Sequence, residues 1–420
     1  MKQAKTPEKQ NSVPQLLYGT ARPALLLMRL AGYLPHPITK HYEVTNNFCS
    51  IPFFWSLIVL IILPIGAVQL YDRQDTFLKR GETLTTPTDK FCRLMIVWTL
   101  MLSTFGFAVK AFLCRKATKE FWSLNYSKMQ ELGRIDTQFD LESERFQGLK
   151  RMIARSNFIW AAVTASINFI MVGIGAAGTA IVISTMMHVS SSLTVSNQSH
   201  KTLETHSLQS DTQSGSLPPI ATITAFAVAH LYITIPVYMA FFLQVYGACL
   251  ETIVSDLCEL RRQFSDDCPC LIKVDSLPRC PPDAFTKKVK GCIRAYYIIK
   301  DLVDAFSRHF AFEITIVVVA SLMTILTSAF IAFYHGFDGI HNGWISLLVP
   351  LIRIGVNVAH LYIMTSTCTS LTKQADQFRE QLVRVDLDLV SISMQAKVIK
   401  CVDATGSKFY EYVYSHVLLM

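Results

Sequence analysis

Charged residues are scarce in this sequence. Asp, Glu, Lys and Arg account for 17% of the 420 residues, whereas hydrophobic residues account for 51%. Soluble domains carry about a quarter charged residues, so this composition argues against an ordinary soluble protein. A cleavable signal peptide is also missing, because a long polar segment precedes the first apolar run and no small-residue cleavage pattern follows that run.

Signatures of catalysis and of cofactor binding are lacking as well. The sequence has no nucleophile elbow, no Walker loop and no His-Glu-x-x-His zinc motif. Cys268, Cys270 and Cys280 are clustered, but their spacing fits no usual set of paired zinc ligands, and no nearby His completes one. We therefore predict that the protein is not an enzyme, has no metal site and uses no cofactor.

Long apolar runs are abundant. A helix needs roughly 20 apolar residues to cross the hydrocarbon core of a bilayer. In lipid only a helix or a closed barrel can satisfy its own backbone hydrogen bonds. These runs lack the alternation of apolar and polar residues that barrel strands show, so we expect helices. We predict an all-α integral membrane protein whose partner is the lipid bilayer, with six spans at residues 51–71, 94–113, 158–187, 220–250, 314–334 and 343–371.

The charge distribution predicts how these spans are oriented. With the N-terminus in the cytoplasm, the inside segments hold 31 Lys and Arg residues and the outside segments hold 6. The positive-inside rule therefore favours a cytoplasmic N-terminus, although the first outside segment carries five of those six cations. Since the basic residues follow this membrane pattern, the net charge of +8 does not indicate a nucleic acid partner.

The predicted second outside segment, 188–219, contains Asn197 in an Asn-Gln-Ser triplet. Such a triplet accepts an N-linked glycan when it faces the lumen during synthesis. The charge pattern places this segment outside independently. We therefore predict a glycoprotein that spans the plasma membrane several times, with a glycan at Asn197.

The inside segments are predicted to contain helices that continue the spans. Residues 1–50 form a cytoplasmic segment in which Pro23 opens and Gly32 closes a short helix on the inner leaflet. Residues 51–371 form the transmembrane bundle, including the loop 251–313, whose part from 284 to 312 has helical periodicity and leads into the fifth span. Residues 372–420 continue the sixth span as an amphipathic helix over 371–399. Lys110 and Glu313 are expected to extend from the inner span ends to the headgroups.

Ionisable and polar residues inside spans indicate where a ligand could bind. Such residues usually face the interior of a bundle or an aqueous cavity. Counted from the outer ends, His230 and Arg353 are each about ten residues deep, so they could border a cavity open to the outside. Hydrogen bonding between helices without any ligand explains the same residues equally well. The candidate ligand-binding residues are His230, Tyr232, Arg353, Asn357 and His360.

Three features of the sequence resemble one known family. Arg22-Pro23 precedes the stretch 29–35, which matches an N-terminal helix ending in Gly-x-x-Pro. In the stretch 295–334, apolar residues at helical spacing lead directly into a span. The overall plan has an inside N-terminus, a long inside loop after the fourth span and a cytoplasmic helix after the sixth. With these features, most of the chain resembles the arthropod gustatory receptors, relatives of the insect odorant receptors.

The resemblance implies a seven-helix subunit of a ligand-gated non-selective cation channel. In that family a small tastant or odorant enters from outside into a cleft among the spans. The cytoplasmic helices join related subunits into a homo- or heterotetramer, and the last span lines the pore. That span carries a signature of Thr-Tyr, five mostly apolar residues and Gln-Phe.

This sequence departs from the family at that signature, which is not present. Residues 401–409 resemble the approach to the seventh helix, and we expect a fragment or shortened gene model, or else a six-span variant. Ligand-evoked current is then expected only from a version that extends beyond Met420. The alternatives are a six-span transporter or channel of another family and a G-protein-coupled receptor. A G-protein-coupled receptor would need an outside N-terminus. It would also be expected to show an Asp-Arg-Tyr motif at the end of the third span or an Asn-Pro-x-x-Tyr motif in the last span, and neither motif is found there.

Overall fold

Helices form all of the regular structure in the described part of the chain, which contains no strand. In a computed structural model, this part comprises residues 22–30, 32–34, 50–80, 87–135, 219–266, 282–337, 343–385 and 394–402, with isolated positions 148, 151, 155, 159, 162 and 166. In chain order the main helices are α1 (Arg22–Leu30), α2 (Ile51–Arg80), α3 (Pro87–Leu113), α4 (Arg115–Arg134), α5 (Pro219–Asp266), α6 (Pro282–Phe337) and α7 (Gly343–Val383). The predicted all-α fold class is confirmed.

Four stretches among the described residues are long and apolar enough to cross a membrane. They lie in α2, α3, α5 and α6, and the predicted sixth span lies in α7, which is not among the four. The predicted third span falls almost wholly outside the described residues. The prediction that there are six spans, and the prediction of their orientation, stay predictions. The four stretches are Ile51–Gln69, Phe91–Leu113, Leu231–Arg262 and Phe285–Tyr334.

Helix α5 is the central helix of the bundle. It contacts α1, α2, α3, α6 and α7, and nearly every described residue from 231 to 250 is buried. Its sequence there is apolar on all sides, which is typical of a helix surrounded by other helices. The α2 stretch is mostly exposed, with large apolar side chains on the outer surface. The bundle therefore has α5 inside and α2 at its edge.

The long helices α5, α6 and α7 contain 48, 56 and 41 residues. At 1.5 Å per residue, α6 is about 84 Å long, far more than the hydrocarbon thickness of a bilayer. The prediction that the helix before the fifth span runs directly into it is confirmed, because α6 is continuous. Helices α6 and α7 stay packed together outside the predicted spans 314–334 and 343–371, where the rings of Tyr296 on α6 and Phe378 on α7 stack with centroids 4.7 Å apart.

An aromatic core connects α4, α5 and α6. The Phe242 ring of α5 has its centroid 5.2 Å from that of Phe121, 5.4 Å from Trp122 and 5.9 Å from Phe310, and all four side chains are buried. Edge-to-face and tilted contacts between such rings contribute more than their buried area alone. This core holds α4 against the long helices and fixes their relative positions.

The short N-terminal helix α1 ends as the sequence predicts. Gly32 has a φ of +76°, and the N–H of Tyr33 donates to the carbonyl of Met28 at 3.0 Å, which closes the helix in a Schellman turn. Met28 is fully buried in the core, while Leu26 and Leu30 are exposed. One face of α1 thus packs into the bundle, and whether the other lies on the inner leaflet stays a prediction.

The prediction of one helix over 371–399 is wrong at its C-terminal end. α7 stops at Val383, and the described chain resumes as helix only at 394–402, where Met394, Val398 and Cys401 are buried. The apolar spacing continues past 383, but Val383 and Val385 are β-branched and therefore weaker helix formers. The apolar period alone could not locate this helix end.

Candidate functional site

A hydrogen-bonded cluster joins α5, α6 and α7 in the interior of the bundle. The hydroxyl of Tyr232 donates to Oδ1 of Asn357 at 2.7 Å, and it lies 3.1 Å from Oγ of Ser321. Since a phenol has a single proton, Ser321 is then the donor to Tyr232. The Asn357 amide in turn donates to the carbonyl of Arg353 at 2.8 Å. One side chain of each helix therefore takes part in a single network.

Helix periodicity brings these residues together. On α7, Arg353, Asn357 and His360 follow one another at four- and three-residue steps, so they lie on the side that faces α5 and α6. On α6, Ser321 has the buried hydroxyl residues Thr324 and Ser328 one and two turns further along. Sequence reasoning found Tyr232, Arg353, Asn357 and His360, and missed Ser321, because a Ser inside an apolar run has no distinctive spacing.

His360 extends the cluster beneath Tyr232. Its ring lies 5.6 Å from the Tyr232 ring in an edge-to-face arrangement, and its side chain is almost completely buried. Nδ1 of His360 has no hydrogen-bond partner among the described residues. A buried polar atom without a partner is costly, so this nitrogen is a position where a bound group could add a hydrogen bond.

Of the other predicted residues, His230 can be placed only in part and Asn197 cannot be placed. The backbone of His230 lies in α5, two residues before Tyr232, and its side chain is outside what the structure describes. Asn197 lies wholly outside the described residues, as do Cys268, Cys270 and Cys280. The structure thus places four of the five candidate ligand residues on two facing helices, α5 and α7. It does not describe where the side chain of His230 lies.

A second buried polar cluster joins the N-terminal segment to α3 and α6. Glu313 is fully buried, and its carboxylate accepts a hydrogen bond from Tyr33 at 2.5 Å and forms an ion pair with Lys110. The Lys110 ammonium also donates to the carbonyl of His309 at 2.5 Å. The expectation that Lys110 and Glu313 extend to the headgroups is wrong, because they bind each other inside the bundle.

The environment keeps Tyr33 protonated. Burial of its ring, and next the negative charge of Glu313, raise the pKa of Tyr33 well above its ordinary value. The phenol is therefore a permanent hydrogen-bond donor to Glu313. The signal available in the sequence was Glu313 itself, since a single acid beside an apolar run requires a partner.

The molecule is a bundle of long apolar helices with two polar clusters buried between them. A family model described as 7tm Chemosensory receptor matches residues 21–400, which is most of the chain. The chain belongs to the 7tm chemosensory receptor family. No curated protein matches it.

Membership of a chemosensory receptor family gives the buried clusters a functional context. A family of receptors binds ligands in the membrane and is not a family of enzymes. The Tyr232 cluster lies in the interior of the bundle, between α5, α6 and α7. The Glu313 cluster lies between the N-terminal segment and the bundle, so we assign it a role in holding the chemosensory receptor together.

Proposed function

We propose that this chemosensory receptor is of the gustatory type and acts as a subunit of a ligand-gated, non-selective cation channel in the plasma membrane. Its ligand is a small tastant or odorant that arrives from outside. The observation that carries the proposal is the Tyr232 network, because it joins the three helices that continue far beyond the spans. A ligand that changes this network would alter the packing of α5, α6 and α7 along their whole length.

The proposed ligand site comprises His230, Tyr232, Arg353, Asn357 and His360. The hydrogen bonds of Tyr232 and the open Nδ1 of His360 support it, because a polar ligand can exchange with these contacts. We further propose that the extended parts of α5, α6 and α7 join related subunits into a homo- or heterotetramer. Their shared packing inside one subunit supports a rigid surface for that assembly.

The test is an electrical recording from oocytes that express this chain together with a related receptor subunit. With a version of the chain that extends beyond Met420, we expect a tastant-evoked cation current whose sensitivity depends on this chain. Replacing Tyr232 with Phe should shift the half-maximal concentration by up to about thirtyfold, because two hydrogen bonds of about 1 kcal/mol each are lost.

The matched control is Tyr362→Phe, since Tyr362 lies on the exposed side of α7 and should not affect sensitivity. Surface labelling must show equal amounts of each variant. If the current requires a G protein, or if a surface-expressed version of the chain that extends beyond Met420 also gives no current with any tastant, the channel proposal is wrong. If both Tyr variants respond like the wild type, the proposed site is wrong while the channel proposal stands.

A further inference from the structure

Three buried hydroxyl side chains lie on one side of α6, at Ser321, Thr324 and Ser328, and each is at most 1% exposed. Their spacing of three and four residues places them on a single face of the helix. The Ser321 hydroxyl contacts that of Tyr232. The hydroxyls of Thr324 and Ser328 have no hydrogen-bond partner among the described residues. A buried hydroxyl without a partner is costly, so a group from outside the helix is expected to supply the bond.

Other hydroxyls of α6 are satisfied by the helix itself. Thr315 and Thr327 each donate to the carbonyl four residues earlier, at 2.8 and 2.7 Å. This bond is the usual way in which a helix satisfies a Ser or Thr in its interior, and threonines of α7 make it as well. Thr324 and Ser328 do not make it, although nothing in the backbone of a continuous helix prevents them. Their hydroxyls are therefore available to another group.

Helix α7 has a free acceptor at about the level of Ser328. The two helices pack together and are joined by residues 338–342, so they run antiparallel. Ser321 and Asn357 are level, because both contact the Tyr232 hydroxyl. Seven residues nearer the connection, Ser328 is then level with Pro350, which is buried. Proline has no N–H for the carbonyl four residues earlier, so a hydroxyl group here could accept from α6 and donate to α7.

The α6 side of this region is uncharged. Residues 314–334 contain no Asp, Glu, Lys or Arg. Tyr232 and Asn357 contribute a phenol and an amide, and Arg353 enters their network through its main-chain carbonyl. A charged ligand group would find no counterion on α6 and would lose its hydration there. These surroundings favour a neutral group that forms hydrogen bonds.

We propose that the face of α6 from Ser321 to Ser328 binds a neutral ligand with two hydroxyl groups. Along the helix, Thr324 lies about 4.5 Å from Ser321 and about 6 Å from Ser328. A terminal diol of about three or four carbons has its hydroxyls at this spacing, since a carbon–carbon bond is about 1.5 Å long. The inference rests on the proposed ligand site, which it extends by Thr324 and Ser328, and it specifies the class of ligand that this site takes.

The experiment measures the binding of three probes to the purified chain in detergent. The probes are a short terminal diol, the alcohol of the same length with one hydroxyl, and the dimethyl ether of the diol, whose oxygens accept but cannot donate. The dissociation constant of each probe follows from the rise of the melting temperature with probe concentration. We expect the diol to bind about fivefold more tightly than the alcohol, and more tightly still than the ether, because one hydrogen bond corresponds to about this factor.

Three variants make the result specific. Thr324→Val and Ser328→Ala should each weaken the binding of the diol about fivefold, because each removes one hydroxyl of the site. Thr327→Val is the matched control: it is the same substitution on the same helix, but the Thr327 hydroxyl bonds to its own backbone. General effects of alcohols on the detergent-solubilised protein act on all variants alike. Without any probe, Thr324→Val should melt no lower than the wild type, because the hydroxyl that it removes has no partner in the protein.

The outcomes separate this inference from the proposed function. A preference for the diol that Thr324→Val and Ser328→Ala reduce, and Thr327→Val retains, supports the site. A diol that binds no more tightly than its ether, or a preference that survives both variants, overturns it and leaves these hydroxyls to water alone. Because binding is measured without current, the diol site can stand while the channel proposal fails. Conversely, if Tyr232→Phe shifts tastant sensitivity while no preference for the diol is found, the ligand class is wrong and the proposed ligand site stands.

Discussion

Glu313 is the residue on which the largest local effect is expected. Its carboxylate is fully buried and accepts from both Lys110 and Tyr33. A buried ion pair contributes little net stability, because the cost of removing both charges from water offsets their attraction. Removing only one partner is different, since the other charge stays buried without compensation.

We predict that Glu313→Gln lowers the free energy of unfolding by about 3–5 kcal/mol, because it leaves the Lys110 ammonium unpaired. The measurement is thermal or denaturant unfolding of the purified protein in detergent. Glu131→Gln serves as the control: Glu131 pairs with Arg294 at 2.9 Å on the surface, where such a pair contributes about 1 kcal/mol or less.

Replacing the whole cluster with apolar residues separates the contribution of the ion pair to stability from the contribution of side-chain packing. Lys110→Met, Glu313→Leu and Tyr33→Phe together should recover most of the stability that Glu313→Gln loses. If the triple variant is as unstable as the single one, shape and not charge controls this part of the bundle. If Glu313→Gln itself melts like the wild type, the buried pair of Lys110 and Glu313 is not formed in the purified protein.

At the scale of the helices, α2 and α5 approach each other closely at Gly66. A Cβ built at Gly66 on α2 would lie 1.8 Å from Oγ1 of Thr224 on α5, so no larger residue fits while the helices keep their distance. Small residues allow such close packing between helices in lipid. Gly66 thus positions the edge helix α2 against the central helix α5.

We predict that Gly66→Ala separates α2 from α5 and lowers stability by about 1–3 kcal/mol, as overpacking does elsewhere. Gly355→Ala is the matched control, because nothing lies within 4 Å of a Cβ at Gly355 and alanine favours a helix. Melting temperatures of the two variants in the same detergent give the comparison. Equal melting temperatures would mean that α2 does not contact α5 at this point.

The ends of the helices were predictable to different degrees. The end of α1 was predicted correctly, because a Gly before Tyr33 supplies the positive φ that the turn requires. The end of α7 was not, because the apolar spacing continues across 386–393 although the helix stops at Val383. A local conformational requirement is visible in a sequence, whereas the end of a periodic segment depends on what packs against it.

At the scale of the whole molecule, the direction of the chain through the membrane is a prediction from the charge distribution and is open to test. We predict that a glycosidase lowers the apparent mass of the protein by removing a glycan at Asn197. Asn197→Gln should abolish this sensitivity. An antibody to a tag at the N-terminus should reach its epitope only after the membrane is permeabilised. Access to the N-terminus in intact cells would contradict this orientation and favour a receptor coupled to G proteins.

The sequence by itself determined the class of molecule. The prediction of an all-α membrane protein came from apolar runs of spanning length and from the scarcity of charges, which are local or additive properties. The short helix that begins near Pro23 and ends at Gly32 contributed to the resemblance to chemosensory receptors. The family match over residues 21–400 confirms that level of description. Four of the candidate ligand residues were also found in this way, because polar residues inside spans are rare enough to be noticed.

Only the tertiary structure decided which polar groups meet. Tyr33 and Glu313 are 280 positions apart in sequence, and Tyr232 is 125 positions from Asn357, yet each pair forms one hydrogen bond. Lys110 and Glu313 looked like separate residues that reach the lipid headgroups, and Ser321 had no distinguishing pattern. The physical reason is that helix periodicity fixes which side of a helix a residue occupies, while the neighbour on that side depends on the packing of helices far apart in the chain.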